Sequence, residues 1–260
     1  MRLDVSTVLL QWAAGGLLGG WCTTRRRLVG AGYGWLFRGV FAVLAAGGTA
    51  AAVTASSHGV GDAVRVGGGA AMVAFALVAI AVSVQRRRVP VSDREHGFPP
   101  GLDLAAPLAG AVSLLGAAGV VGGPYALSAA RLLVGAVFLG LVTDAMLLGH
   151  WYLVQPGLSR DPIKEIVRDV AWVWPFEVAL LLVPTGMISV LDGRIDDGYG
   201  GLLGWTWVLS ALTTLGLVLL ARRALDEPYY SAVMATTGLL YLAILTAFGT
   251  DVLARALLAS

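Results

Sequence analysis

Eight long apolar segments, joined by short polar connections, constrain what this chain can fold into more than any other feature. They cover approximately 4–23, 35–56, 65–85, 103–123, 126–150, 170–191, 202–221 and 229–252. A helix needs about 20 mostly apolar residues to cross the hydrocarbon core of a bilayer. With 57% hydrophobic and 13% charged residues, the chain is unlike an ordinary soluble domain. The sequence therefore predicts an all-α integral membrane protein of eight transmembrane helices, with the lipid bilayer as its first partner.

The basic residues of the connections predict an orientation. Thirteen of them fall on one side of an eight-span arrangement and five on the other. Because basic residues are enriched in cytoplasmic loops, we expect the side with thirteen to be inside and both termini to be outside. The inner set is Arg25, Arg26, Arg27, Arg38, Arg86, Arg87, Arg88, Arg94, Arg160, Lys164, Arg168, Arg222 and Arg223, and the outer set is Arg2, Arg65, Arg131, Arg194 and Arg255.

Composition narrows the cellular setting. Lys164 is the single lysine among 18 basic residues, a bias typical of GC-rich bacterial genomes, so the expected location is a bacterial plasma membrane. The net charge of +2 comes from short basic runs beside apolar segments, which orient membrane helices, and no nucleic-acid partner is expected. Cys22 is the only cysteine, which excludes an intramolecular disulfide and a cysteine-based metal site.

The two halves of the chain show signs of a parallel duplication. The stretch LLGGW at 17–21 resembles LLGHW at 147–151, and the pair Arg86-Arg87 has a counterpart in Arg222-Arg223. Repeats of this kind build membrane proteins from two similar helical units placed side by side. Chance matches are common in apolar sequence, so a single undivided bundle is the alternative.

If the duplication is real, the protein consists of two four-helix units, 1–123 and 124–260. The second unit then carries most of the polar residues. Asp144 stands where the first unit has Ala14, and His150 stands where it has Gly20.

Asp144 and Glu177 are the carboxylates that the sequence places inside the membrane. Asp144 lies in the fifth segment, and Glu177 lies about two turns into the sixth segment, which begins on the same side. We therefore expect both at comparable depth on adjacent helices. Carboxylates at membrane depth are usually protonated, paired or facing water, so both are candidates for a proton relay or for binding a quinone or another ligand. The alternative is that each pairs with an arginine and only holds the bundle together.

Helical geometry separates Asp144 from His150. Six residues at about 100° each place the two side chains roughly 120° apart and about 9 Å apart along the axis, so a direct Asp–His dyad is not expected. Asp144 instead lies on the same side of the helix as Trp151, seven residues later, and this side is called its stripe. The remaining candidates for binding a ligand are His150, Trp151 and Tyr152. The alternative for Trp151 and Tyr152 is an anchor in the aromatic belt at the inner boundary.

His150 is also a candidate haem ligand. A b-type haem in a helix bundle normally takes two ligands from the protein. The other histidines, His58 and His96, lie in an outer and an inner connection. A haem bound by this chain alone is therefore not expected.

Pro184, Thr185 and Gly186 interrupt the sixth segment. Proline leaves the carbonyl of Leu180 without its helical donor and can kink the helix. Transporters place ion sites at such breaks, and the alternative is a simple kink that the Thr185 hydroxyl bridges. Arg131, near the outer end of the fifth segment, is expected to extend to the lipid headgroups.

Two further stretches have structural interpretations. The connection 155–170 predicts a short interfacial helix with Pro162 in its first turn and Ser159 or Asp161 as its cap. The glycines of GGLLGG at 15–20 are small residues of the kind that allow membrane helices to pack closely.

The function that we expect is that of a non-catalytic membrane subunit. The sequence contains no nucleotide-binding glycine loop, His-Glu metal motif or GxSxG elbow, so no catalytic or metal-ligating residue is predicted. The four-plus-four layout resembles the quinone-linked membrane anchors of respiratory complexes in layout alone. This resemblance implies a redox complex with other membrane or peripheral subunits as partners, and a quinone or proton site at the inner end of the fifth and sixth segments.

Two alternatives stay open. The first is a proton-coupled transporter or channel for a small solute, which would use Asp144, Glu177 and the broken sixth helix. It is placed second because the first four segments offer few polar residues to line a path. The other alternative is a structural or assembly protein whose polar residues only orient its helices.

Overall fold

A computed structural model describes residues 4–56, 59–87, 98–183 and 186–258. Within these ranges the chain forms nine α-helices and no β-strand. The helices are α1 (Val5–Thr24), α2 (Ala31–Thr54), α3 (Val60–Arg86), α4 (Pro100–Ala118), α5 (Tyr125–Val154), α6 (Asp161–Leu182), α7 (Gly186–Leu191), α8 (Leu202–Ala224) and α9 (Tyr230–Leu257).

Six of these helices, α2, α3, α4, α5, α8 and α9, are long and apolar enough to cross a membrane. Their outward surfaces expose large aliphatic side chains, for example Val43, Leu209 and Leu245 with exposed fractions of 72%, 66% and 69%. Apolar surface of this extent is unfavourable in water and normal against lipid. The prediction of an all-α membrane protein is therefore confirmed.

The structure differs from the sequence prediction around the sixth segment. The predicted interfacial helix and the membrane segment are one continuous helix, α6, with Pro162 in its first turn as predicted. Buried apolar residues already recur at helical spacing from Ile163 to Val170, so this stretch packs against the bundle as part of α6. The predicted segment 170–191 is instead divided between α6 and α7. The residues buried along the first part of α6 are Ile163, Ile166, Val167 and Val170.

Helices α1 and α5 form the centre of the bundle. α1 packs against α2, α4 and α5, and α5 packs against α1, α6 and α9. Farther out, α3 packs against α4, and α8 packs against α9. If α1, α2, α3 and α4 are matched with α5, α6, α8 and α9, each helix has corresponding neighbours in the two halves. The duplication of units 1–123 and 124–260 stays a prediction.

Glycines bring α1 and α5 into backbone contact. A Cβ atom on Gly140 would overlap the backbone of Gly15, and a Cβ atom on Gly15 would overlap the carbonyl of Ala136. One turn farther along α1, a Cβ atom on Gly19 would lie 2.9 Å from the Cβ of Asp144. The GGLLGG stretch therefore forms a packing surface, as predicted. We call the contact of Gly15, Gly19, Ala136 and Gly140 the glycine waist.

Candidate functional sites in two buried polar clusters

Two clusters of buried polar side chains lie at opposite ends of the glycine waist. No member of either cluster is more than 8% exposed. Polar groups are costly to bury unless they are hydrogen-bonded, and charged residues inside a membrane bundle are functional candidates by default. The Asp144 cluster consists of Thr23, Tyr33 and Asp144, and the Glu177 cluster consists of Gln11, Arg131, Glu177, Asp251 and Arg255.

The Asp144 cluster joins three helices. Asp144 on α5 is fully buried. Its Oδ2 accepts a short hydrogen bond from the hydroxyl of Thr23 at the end of α1, and its Oδ1 accepts one from the hydroxyl of Tyr33 in the first turn of α2. Gly19 leaves the room that lets α1 approach the carboxylate this closely. Both oxygens of Asp144 are therefore satisfied by hydroxyl donors.

A buried ion pair lies beside the Asp144 cluster. Arg38 on α2 donates from Nε to Asp103 Oδ1 on α4 at 2.5 Å and from Nη2 to the hydroxyl of Thr24 at 2.7 Å. The ring of Phe98 lies 3.7 Å from the guanidinium carbon. The sequence prediction that placed Arg38 in an inner loop is wrong, because α2 begins at Ala31 and carries Arg38 into the bundle.

The Glu177 cluster contains a carboxylate of a different kind. Glu177 on α6 is 1% exposed. In the part of the chain that the structure describes, neither of its carboxylate oxygens receives a hydrogen bond. The charged groups that face it are Asp251 and Arg255 on α9 and Arg131 on α5. Because buried polar atoms are almost always paired, a carboxylate with both oxygens unpaired among the described residues calls for a functional explanation.

Asp251 and Arg255 of α9, which lie beside Glu177, are largely paired with each other. Arg255 Nε donates to Asp251 Oδ2 at 2.8 Å. Gln11 of α1 bridges the pair, because its Oε1 accepts from Arg255 Nη2 and its Nε2 donates to Asp251 Oδ1 at 3.3 Å. Among the described residues, Arg255 Nη1 has no partner. The cluster is therefore neutral when Glu177 is ionised and carries one positive charge when Glu177 is protonated.

Arg131 does not extend to the lipid headgroups, and that prediction is wrong. It is 8% exposed and points into the bundle, where Nε donates to the carbonyl of Leu180 at 2.8 Å and Nη2 to that of Val183 at 3.2 Å. The last carbonyls of a helix lack intrahelical donors and attract cations. Arg131 is held inside because it caps the end of α6.

The sixth segment is divided between two helices, since α6 ends at Leu182 and α7 begins at Gly186. Pro184 and Thr185 lie outside the described residues. Gly186 lies against the cap, because a Cβ atom there would sit 2.8 Å from Arg131 Nη2.

The expectation that Asp144 and Glu177 lie at comparable depth is wrong. Arg131, a member of the Glu177 cluster, precedes Asp144 by 13 residues on α5, which is about 20 Å along the helix. Glu177 lies five residues before the end of α6 at Leu182, far from the start of that helix. The error follows from the start of α6, which lies nine residues before the predicted segment begins at 170.

The His150-Trp151-Tyr152 group is divided among three environments. His150 is exposed on the surface of the bundle, with its Nδ1 3.5 Å from the hydroxyl of Tyr241. Trp151 packs on Tyr33 with ring centroids 5.7 Å apart, so it shares the stripe of Asp144, as predicted. Tyr152 is buried and donates to the carbonyl of Ser159. The structure brings Trp151 to the Asp144 cluster and leaves His150 apart from it.

The space around the Asp144 cluster is small. A cavity lined by Cys22 and Thr23 of α1 and Pro162 and Ile166 of α6 has a volume of about 10 Å³, room for one water molecule at most. A larger pocket of about 660 Å³ lies at the same end of the bundle and is lined in part by Thr24, Arg27 and Gln155. Ligand-binding pockets usually have volumes of several hundred Å³, so this end offers space for a ligand beside the cluster and not within it.

Sequence reasoning missed most of the partners in both clusters. Asp251 and Arg255 stand four residues apart on α9, an acid followed by a base at the spacing that pairs on a helix, and this signal was readable. Gln11, Thr23 and Tyr33 gave no comparable signal. Within the described ranges, no three His, Cys, Asp or Glu side chains are grouped as metal ligands would be.

Comparison with family models, curated protein sequences and solved structures finds no match to this chain.

Proposed function

We propose that the chain crosses a bacterial plasma membrane eight times, with α1 and the α6–α7 pair added to the six strongly apolar helices. α1 is 20 residues long and lies at the centre of the bundle, where Ser6, Thr7 and Gln11 are buried. These polar residues lower the mean hydropathy of α1, but they face other helices and not lipid, so they do not prevent α1 from crossing the membrane. Apart from Glu177, which is buried in the bundle, the charged residues of α6 lie in its first half, so residues 170–191 supply the length of a span.

The distribution of the basic residues that are not buried in the bundle supports both termini outside. Four arginines of the original count, one inner and three outer, are buried inside the bundle. Leaving them out changes the bias from thirteen against five to twelve against two. Loop charges set topology, so the corrected count favours the same orientation more strongly. The four are Arg38, Arg65, Arg131 and Arg255.

We propose that the protein moves protons across this membrane, as a proton-coupled transporter or channel for a small solute, and that Glu177 takes up and releases the proton. The observation that carries the proposal is the buried carboxyl group of Glu177, which no described residue donates to. A purely structural carboxylate in such a site is normally paired. Protonation removes the cost of burying the charge, and Arg131 and Arg255 reduce the cost of the ionised state, so both states are accessible.

Asp144 is the second proton site in this proposal. It lies at the other end of the glycine waist and, in the proposed topology, nearer the inner side. The waist separates the two carboxylates by tightly packed backbone, so proton transfer between them requires α1 and α5 to separate enough to admit water. A transporter needs polar side chains inside the bundle. The first four helices bury charged residues of this kind, such as Arg38 and Asp103.

Proton flux into liposomes tests the proposal. The purified protein is reconstituted with a pH-sensitive dye inside the vesicles, and a potassium diffusion potential drives protons inward. We expect the wild type to change the internal pH faster than protein-free vesicles. Glu177→Gln should lower this rate at least about tenfold, since general proton-transfer groups contribute factors of this size or more.

Glu227→Gln is the matched control, because Glu227 is exposed in the connection between α8 and α9. It should leave the flux unchanged. The proposal is overturned if the wild type carries no more protons than empty vesicles, or if Glu177→Gln and Glu227→Gln behave alike.

A quinone-linked subunit of a respiratory complex is the competing proposal, with its site at Asp144. The observation that favours it is a series of aromatic rings beside the carboxylate, in which Tyr33 packs on Phe37 at 5.4 Å and Phe37 on Phe41 at 4.6 Å. The cavity at Thr23 counts against it, because a volume of about 10 Å³ is far too small for a quinone headgroup. Gentle purification followed by lipid extraction tests it, and a quinone or co-purifying redox subunits would favour it over proton transport.

A further inference from the structure

The junction between α6 and α7 is built around one side chain from another helix. Arg131 of α5 donates to the carbonyls of Leu180 and Val183, at 2.8 and 3.2 Å. On the other side of the junction, a Cβ atom on Gly186 would lie 2.8 Å from Arg131 Nη2 and would overlap the carbonyl of Leu181. The position at which α7 begins therefore depends on where this guanidinium lies.

Glu177 lies one turn before this junction on the same helix. Residues three and four apart on a helix are neighbours, so the carboxyl group of Glu177 is on the side of α6 that leads to Leu180 and Leu181. Arg131 faces Glu177 electrostatically, yet the nitrogens Nε and Nη2 are directed at backbone carbonyls. The arginine therefore hydrogen-bonds to the end of α6 while it lies within electrostatic range of the carboxylate.

The remaining charged groups that face Glu177 are less able to change partners. Asp251 and Arg255 face it from α9. Arg255 is fixed through Nε and Nη2 to Asp251 and Gln11, and only its Nη1 is unpartnered among the described residues. Arg131 differs from Arg255, because the acceptors of its described hydrogen bonds are neutral backbone carbonyls and not a carboxylate.

We propose that Arg131 is the positioning residue that couples the proton on Glu177 to the junction between α6 and α7. With Glu177 protonated, Arg131 caps the carbonyls of Leu180 and Val183 at the end of α6. When Glu177 loses its proton, the guanidinium turns to the carboxylate, since a charge-assisted hydrogen bond is stronger than one to a neutral carbonyl. The ends of α6 and α7 are then released. This inference rests on the proposed role of Glu177 as the proton-carrying group.

Hydrogen–deuterium exchange of residues 178–191 in lipid nanodiscs tests the coupling. Exchange is measured between pH 5 and 9 and corrected for the intrinsic pH dependence with an unstructured peptide of the same sequence. In the wild type we expect the corrected exchange rate to rise about tenfold or more as Glu177 ionises, since the released amides lose the protection of a capped helix end.

Three variants separate this coupling from a purely structural role. Glu177→Gln mimics the protonated state and should stay protected at every pH. Arg131→Lys keeps the charge but cannot span two carbonyls with a planar group, so exchange should be fast at every pH and lack a transition. Arg194→Lys, at an exposed arginine of the connection after α7, should behave as the wild type does.

The outcomes distinguish the two proposals. If proton flux depends on Glu177 but residues 178–191 exchange without a pH transition, or if Glu177→Gln keeps the wild-type transition, the coupling through Arg131 is overturned and the proposed function stands. If proton flux does not depend on Glu177, both are overturned. Should Arg131→Lys fail to fold, the comparison between the wild type and Glu177→Gln still decides the matter.

Discussion

Arg131 Nε donates a 2.8 Å hydrogen bond to the backbone carbonyl of Leu180. Pro184 follows Leu180 by four residues and has no N–H group to offer that carbonyl. A guanidinium from a neighbouring helix therefore supplies the donor that the proline lacks. The interruption of the sixth segment and the burial of a basic residue in the fifth are two parts of one interaction.

The Arg38–Asp103 pair should be a strong contributor to specificity and should be costly to break. Arg38→Met leaves the Asp103 carboxylate buried without its partner, and removing one member of a buried pair typically costs about 3–5 kcal/mol. The double variant Arg38→Met/Asp103→Leu should recover much of this loss because no charge is left unpaired. Thermal unfolding in detergent measures each variant.

The matched control for this cycle is the exposed pair of Lys164 and Asp226, whose side chains are 43% and 73% exposed. Lys164→Met should change stability by less than about 1 kcal/mol. Equal losses at the two pairs would contradict a buried, desolvated Arg38–Asp103 interaction.

The contribution of the hydrogen bond from Tyr33 to Asp144 to stability should be measurable in Tyr33→Phe, which removes only the hydroxyl oxygen. Tyr33→Phe keeps the ring and its contacts with Phe37 and Trp151, but it leaves Asp144 Oδ1 without its donor. A hydrogen bond to a charged group is worth about 1.5–3 kcal/mol, and the loss should appear in thermal unfolding. Tyr241→Phe is the control, since the partner described for that hydroxyl is His150, at 3.5 Å on the bundle surface. A change of similar size in both variants would contradict the assignment.

The apolar segments and the close packing of α1 could be predicted from the sequence, because they follow from local hydropathy and from small residues at helical spacing. The GGLLGG contact and the placement of Asp144 and Trp151 on one stripe are of this kind. Both rest on geometry within a single helix.

The partners of the buried charges could not be predicted in this way. Arg38 and Asp103 are 65 residues apart, and Arg255 and Gln11 are 244 residues apart. Pairing over such separations depends on which helices are neighbours, which one sequence does not specify. Basic residues near segment ends were therefore taken for loop or headgroup residues. The wrong depth for Glu177 has a separate cause, which is the start of α6 at Asp161.

The glycine waist should tolerate no added methyl group. Gly140→Ala places a Cβ atom into the backbone of Gly15, and because a backbone cannot move aside as a side chain can, we expect a loss of about 1–3 kcal/mol or more. Gly216→Ala is the control, since nothing lies within 4 Å of its added Cβ in α8, and it should be neutral or stabilising by up to about 1 kcal/mol. Similar melting temperatures for the two variants would contradict the close contact of α1 and α5.

Asp197 should make the connection before α8 sensitive to acid. Its carboxylate accepts backbone hydrogen bonds of 2.8–3.3 Å from Tyr199, Gly201, Leu203 and Gly204. These donors, that of Gly201 first, hold the pKa of Asp197 below its usual value. A depressed folded pKa means that the stabilisation is present above about pH 4, the value for an unfolded aspartate, and is lost as the pH falls through the lower folded value.

The stability difference between the wild type and Asp197→Asn measures this contribution. It should be largest near neutral pH and should decrease as the pH falls below about 4. Asp196→Asn is the neighbouring control, because Asp196 is exposed and accepts one backbone hydrogen bond, from Gly198 at 2.9 Å. A pH-independent difference for Asp197→Asn would contradict the role of its charge.

The α6–α7 pair should cross the membrane, which labelling of single cysteines can decide. In a Cys22→Ser background, Ser159→Cys and Asp196→Cys place thiols in the exposed connections before and after the pair. A membrane-impermeant maleimide should label Asp196→Cys in intact cells and Ser159→Cys only after permeabilisation. Labelling of both from the same side would mean that the pair does not cross and that its charged first half holds it at one surface.

The first helix should cross as well, and its two ends give the corresponding test. Val5→Cys and Leu28→Cys stand on either side of α1 at side chains that are 68% and 44% exposed. If α1 is a span, Val5→Cys is labelled from outside and Leu28→Cys from inside, because Arg25, Arg26 and Arg27 hold the second end in the cytoplasm. Six spans without α1 would put both cysteines on one side. That outcome would overturn the eight-span topology.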